Sequence, residues 1–334
     1  MYFLGFLVSG LFIYWGFRNV PLSEIYAYFR HAEYILVGCA IGLLFLSFLL
    51  RAVRWQTLLG KKESLSNCFH ILMASFMLNC VLPARAGEIA RPVMVSRNPD
   101  VSLLLAVCSQ IAERVLDLVV ILLLLGISMA VIRIPADVSY TFNGFVLNRD
   151  LLMDSTSKFI LLLAAGLSAL FIIGFMGRKK RFQNKLMDKI NLFRENLLKG
   201  LEPVLGIRKF LAMILLSLII WIFQAGSFYL VAAASPAITI DFLQTIFVMV
   251  VILFFIALPS VPGFWGLWEA GGIFAMMVLG ISKTDAAGFN LFNHAIQLIP
   301  VILAGIVSAF VLGTRFISWF SRGKTSPAGT NQQG

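Results

Sequence analysis

Charged side chains at fixed spacing inside apolar runs are the residues of this sequence best placed to do chemistry. Asn79-Cys80-Val81-Leu82-Pro83-Ala84-Arg85-Ala86-Gly87-Glu88, followed by Arg91, stops an apolar run at a proline, turns through glycine and meets a glutamate. A second phrase does the same: Leu258-Pro259-Ser260-Val261-Pro262-Gly263-Phe264-Trp265-Gly266-Leu267-Trp268-Glu269. Broken helices that carry charge at matching places in two halves point to a transport site. Arg85, on an unwound stretch flanked by Pro83 and Gly87, is a natural dock for an anionic headgroup. Phosphate favours arginine forks and free backbone N–H groups. Glu88 and Arg91 are three apart and can pair on one helical turn, which leaves Arg85 the more available cation.

Each phrase is followed by a polar stripe. Gln110, Glu113, Arg114 and Asp117 follow the first, and Asn290, Asn293, His294 and Gln297 the second. Both have the spacing i, i+3, i+4, i+7, which sets four side chains on one helical face. Glu113 and Asp117 flank Arg114 and are expected to hold it charged. These groups either serve a polar cavity or simply neutralise one another and lock helices, since charge at membrane depth needs a partner. Glu269 would begin a helix, where its charge suits the positive helix end. Trp265 and Trp268 either line a lipid pathway or anchor at an interface. Arg51, Arg54 and Trp55 end a span on the cytoplasmic side, where snorkelling explains them as well as headgroup contact does.

The elements that must position these groups follow from composition. The 334 residues are 60% hydrophobic and 13% charged, with a mean hydropathy of +0.91. That describes an all-α polytopic membrane protein, because the apolar runs are long and continuous rather than alternating as in a barrel. Apolar segments run at about 2–17, 34–50, 115–132, 159–176, 209–234 and 285–313. Two further pairs, 65–83 with 87–112 and 241–258 with 263–282, flank the repeated phrases. The expectation is about six to eight transmembrane helices with two re-entrant helical hairpins forming an inverted repeat. Residues 1–320 read as one membrane domain, with halves at about 34–176 and 209–314 and a disordered tail over 321–334. The joining segment 177–208 is basic and amphipathic, either lying on the cytoplasmic surface or serving as a strap.

Arg178–Lys209 holds ten basic residues against three acidic ones, which places it in the cytoplasm with both termini. The formal charge of +11 reflects this rule and contact with anionic lipid heads, not nucleic acid. Met1–Phe17 lacks a basic leader and a cleavage site and is expected as a retained span. The four cysteines and three histidines are scattered, so neither disulfides, a metal site nor a redox pair is expected. No nucleotide loop or Asp-rich metal motif is present, and no cofactor is expected.

Arg54-Trp55 with Leu58-Leu59, then Asn79, Leu82 through Glu88, Arg91, Glu113-Arg114, Asp117, Pro262-Gly263, Gly266 and Glu269 resemble the flippase-like transmembrane family over about 50–315. That family takes in the membrane region of lysylphosphatidylglycerol synthase/flippases and the hopanoid-associated and archaeal glycosylation-associated membrane proteins. The resemblance implies a bundle with re-entrant segments that moves a lipid between leaflets, with its functional polar positions on Arg85, Glu88, Arg91, Glu113, Arg114, Asp117 and Glu269. Asn79 and Arg54 join them as substrate-binding candidates. Pro83, Gly87, Pro262, Gly263, Trp265, Gly266, Trp268, Asn293 and His294 are the gate and pathway candidates.

Two departures stand out. No counterpart of the synthase's soluble aminoacyl-transfer domain is found, so lipid aminoacylation is not expected. Phe264 replaces the second glycine of the usual Pro-Gly-Gly, which makes that loop bulkier. The expected partners are anionic or zwitterionic phospholipids or polyprenyl-phosphate lipids, with further copies of the chain or lipid-synthesis enzymes beside them. The expected setting is the bacterial cytoplasmic membrane. The competing reading is an intramembrane lipid-modifying transferase, or an accessory subunit of an envelope-synthesis complex.

Overall fold

A computed structural model describes residues 2–18, 20–82, 85–132, 139–142, 145–148, 207–235, 237–258 and 261–323. The helices are α1 (Tyr2–Phe17), α2 (Leu22–His31), α3 (Tyr34–Leu58), α4 (Leu65–Val81), α5 (Ala86–Val95) and α6 (Leu103–Val131). They continue as α7 (Ile207–Ala233), α8 (Phe242–Ile256), α9 (Leu267–Val278) and α10 (Lys283–Gly323). A short antiparallel ribbon, Ser139–Phe142 with Phe145–Asn148, follows α6. The span expected at 159–176, the joining segment up to 206, Pro83 and residues 324–334 lie outside the described residues.

Length separates two kinds of helix. Among the described residues four are long and apolar enough to cross a membrane: Tyr34–Leu58, Leu103–Val131, Arg208–Ala233 and Lys283–Gly313. At about 1.5 Å per residue, the 25 residues of α3 reach beyond the roughly 30 Å of hydrocarbon. The 10 residues of α5 and the 12 of α9 do not. Caps set where the elements begin. Ser64 and Ser102 accept from the backbone N–H three residues on, and Asp241 forms a capping box with Gln244.

The short helices pair into hairpins. Gly87, the second residue of α5, lies so close to α4 that a Cβ there would sit 1.8 Å from the Ser75 carbonyl oxygen. The Ser75 hydroxyl donates to the Gly87 carbonyl at 2.7 Å, so α5 turns straight back along α4. Gly271 of α9 also lies close to α8, where a Cβ would sit 2.9 Å from the Phe255 Cβ and 3.1 Å from the Ile252 Cα. The tips of the two hairpins meet. A Cβ on Gly263 would stand 3.4 Å from the Cys80 carbonyl oxygen, and Arg85 donates to the Ile256 carbonyl at the end of α8. The second break runs through Pro262–Phe264 with Gly263, Phe264 and Gly266 all at positive φ. Ser9 of α1 seals it, its hydroxyl accepting from Val261 N–H at 3.4 Å.

Two expected boundaries are corrected. The first hairpin's return arm is not 87–112: α5 ends at Val95, and the chain turns at Asn98, whose amide bonds the Lys62 carbonyl and the Glu63 carboxylate. The segments expected as 87–112 and 115–132 contribute to one continuous α6, which sets the polar stripe in mid-helix. α10 runs through Pro300 to Gly323, three residues into the expected tail.

Candidate functional site

Three polar groupings lie on this frame. The first is buried. Arg54 of α3 forks onto Asp117 of α6, with Nη1 to Oδ1 at 2.6 Å and Nη2 to Oδ2 at 3.1 Å. Its Nη1 also donates to Ser217 of α7 at 2.7 Å, and Trp221 Nε1 donates to Asp117 Oδ1 at 3.0 Å. Arg91 of α5 stands 2.7 Å from Glu113 Oε2, and Arg54 3.6 Å from Glu113 Oε1. Arg51 lies 3.7 Å from Asp117. Aromatic faces carry the rest of the cationic surface: Arg91 lies over the Trp55 ring at 3.9 Å and Arg51 over Trp221 at 4.6 Å. Arg51, Arg54, Arg91, Glu113 and Asp117 are all buried, and three guanidiniums face two carboxylates. The Nε atoms of Arg54 and Arg91 are buried without a hydrogen-bond partner.

The second grouping is open. Arg85 stands 3.7 Å and Arg114 3.5 Å from the same oxygen of Glu88. Their side chains are 38% and 49% exposed, against 31% for Glu88. Arg85 adopts left-handed backbone (φ 52°) just ahead of α5, a conformation that turns its side chain out of the helix register. It reaches the carboxyl end of α8, where a cation is favoured, and rests over the Phe264 ring at 5.7 Å. Two arginines thus share one carboxylate where the tips touch.

The third lies within the second half. Glu269 Oε2 accepts Gly266 N–H at 2.7 Å, and its Oε1 meets His294 Nδ1 at 2.6 Å. The His294 ring is stacked on Trp268 and tilted against Trp265, both centroids at 4.6 Å. Glu269, Asn290, Asn293 and His294 are fully enclosed. Gln297 bonds Ser227 and Gln224 at 3.0 Å each, tying α10 to α7.

Several expected pairings are corrected. Glu88 pairs with Arg85 and Arg114, not Arg91, because Arg91 points inward to Glu113. Glu113 and Asp117 hold Arg54 and Arg91 instead of Arg114. Arg114 lies about 100° around α6 from Glu113, at the edge of the stripe, and meets Glu88 there. Arg51 and Arg54 do not snorkel: α6 and α7 supply their partners, and Arg54 is 1% exposed. Trp268 stacks on His294, with its Nε1 buried. Asn79 is buried against Gly87 with its Oδ1 unpartnered, and Asn293 has neither amide atom bonded, so neither joins the arginines. Ser217, Trp221, Gln224 and Ser227 were not foreseen. Their spacing of four, three and three along α7 is the signal that marks them as one face.

The model of the lysylphosphatidylglycerol synthase TM region matches residues 2–305. A curated relative, a UPF0104 membrane protein of Methanocaldococcus jannaschii, is 23% identical over 238 residues, which cover 70% of this chain and 94% of its own. With the match spanning nearly every described helix, the chain belongs to the family of the lysylphosphatidylglycerol synthase transmembrane region.

Proposed function

We propose that the protein is a lipid translocase that moves a phospholipid or polyprenyl-phosphate-linked lipid between the leaflets of a bacterial cytoplasmic membrane. The observation that carries this reading is the open Arg85–Glu88–Arg114 grouping at the meeting point of two broken helices. A headgroup phosphate there would take the arginine that Glu88 releases, while the acyl or prenyl tails stay in the bilayer. Hydrocarbon opposes the crossing of a charged head by many kilocalories, and fixed guanidiniums and broken-helix amides substitute for the lost water. The buried Arg51–Arg54–Arg91 set adds positive potential behind the dock without touching the lipid. Arg54, Arg91, Glu113 and Asp117 are on this reading positioning residues. The excess of basic residues in 178–209 supports an orientation with both termini in the cytoplasm.

Liposomes test it. Purified protein is reconstituted with headgroup-labelled phosphatidylglycerol, phosphatidylethanolamine or a polyprenyl phosphate, and the outer label is quenched chemically. Protein-dependent loss of inner label is expected for at least one lipid, slowed severalfold in Arg85→Ala and Arg114→Gln that remain folded by gel filtration. Movement of none of these lipids would overturn the translocase. Recovery of a chemically altered lipid would establish the transferase reading in its place.

A further inference from the structure

Glu269 and His294 form an ionisable pair that the headgroup site does not use. Both are fully enclosed, yet His294 Nε2 has no hydrogen-bond partner. With Glu269 ionised, Nδ1–H donates to it and Nε2 keeps a bare lone pair, leaving the pair with one negative charge in an apolar setting. A proton gained at Nε2 makes the ring an imidazolium held by the carboxylate, and the pair becomes neutral overall. The Trp268 ring lies flat on the imidazole and Trp265 is tilted against it, both centroids at 4.6 Å, so a cation there would meet an aromatic face.

We infer that the Glu269–His294 pair is a proton-binding site that couples proton movement to the second hairpin, an inference that rests on the translocase reading for its coupling but not for its proton site. The route is short. Glu269 Oε2 holds Gly266 N–H while Oε1 meets His294, so an imidazolium that draws on the same carboxylate alters the bond that pins the break. Gly266 has φ 86°, and a Cβ there would sit 2.5 Å from the Ser9 carbonyl oxygen, which makes this backbone one tightly fitted unit. Two residues back, the ring of Phe264 supports Arg85 of the other half. A proton arriving at His294 therefore alters the seat of the arginine that would receive the headgroup.

Among the described residues, the charged groups nearest in sequence and packing to the pair have partners of their own, and Tyr229 of α7 packs its ring on Phe242. On α10 itself Asp285 accepts from Tyr28 of α2 and Lys283 donates to the Trp15 carbonyl of α1. Arg51 and Arg54 of α3 serve Asp117, and His70 of α4 bonds Ser308. Cys68 and Cys80 of α4 are thiols, Arg208 and Lys209 sit in the first turn of α7, and α8 carries no ionisable side chain.

Indole fluorescence of the protein in lipid nanodiscs, titrated from alkaline to acidic pH, reads the site directly. A stacked imidazolium quenches indole, so emission is expected to fall through one transition. That transition disappears in His294→Gln, shifts in Glu269→Gln and shrinks in Trp268→Phe, which keeps a ring in place. A titration identical in wild type and His294→Gln would overturn the proton site. In liposomes, an imposed pH gradient is expected to change the rate of labelled-lipid movement severalfold, a response abolished by a protonophore and absent from His294→Gln. An intact His294 transition with lipid movement indifferent to the gradient would overturn the coupling. The transition without movement of any lipid would instead remove the translocase reading, and the coupling with it, while leaving the proton site standing.

Discussion

Asp117 is held by both arms of Arg54, the Trp221 indole and the nearby Arg51. Removing its charge strands buried guanidiniums, and breaking a buried pair on one side costs about 3–5 kcal/mol. Asp117→Asn is therefore expected to lose about that much stability in denaturant or thermal unfolding in detergent. Arg114→Gln breaks only a half-exposed contact with Glu88, worth about 0–1 kcal/mol, and is expected to unfold like wild type while impairing lipid movement. The two variants separate the charges that hold the bundle from those that meet the lipid. That division was only half legible in the sequence. The charged residues announced themselves by lying in apolar runs. Their pairings did not, because the spacing along one helix says nothing about Arg54 arriving from α3 or Trp221 from α7.

The hairpins depend on close backbone approach. Gly87→Ala would drive a methyl into the Ser75 carbonyl oxygen, and neither backbone can yield without parting α4 from α5. Sharply reduced folded yield is expected, measured by fluorescence-detected gel filtration. Gly126 in α6 has open space around it, so Gly126→Ala is expected to stabilise by roughly 0.5–1 kcal/mol through helix propensity. Proline and glycine at 83, 87, 262, 263 and 266 made the breaks readable from sequence, and the short helices either side confirm them. The end of α5 was missed although Asn98-Pro99-Asp100 is a turn signal. It stands between apolar stretches long enough to pass for one arm. The amphipathic α2 was also not foreseen: it is anchored by Tyr28 on Asp285, a contact across 257 residues that no local pattern encodes.

The halves are joined by their tips and by their flanks. Gly305 of α10 lies against Met73 and Met77 of α4, and α7 packs along α3, so each half rests on helices of the other. If alternating access parts the tips, a bond across them must stop the cycle. With Cys39, Cys68 and Cys108 replaced by serine, Gly263→Cys beside native Cys80 is expected to form a disulfide under mild oxidation. Lipid movement should stop when the bond forms and resume on reduction. Unchanged movement in the oxidised protein would mean the tips stay together throughout.

The bond from Trp221 to Asp117 spans 104 residues, and that from Arg54 to Ser217 spans 163. A ribosome adding about 5–20 residues per second emits Trp221 roughly 5–20 s after Asp117. Throughout that interval α3 and α6 carry a set of arginines and acids whose shield has not been synthesised. The nascent chain must keep them wet, at the insertion machinery or the bilayer surface, until α7 arrives to close the cluster.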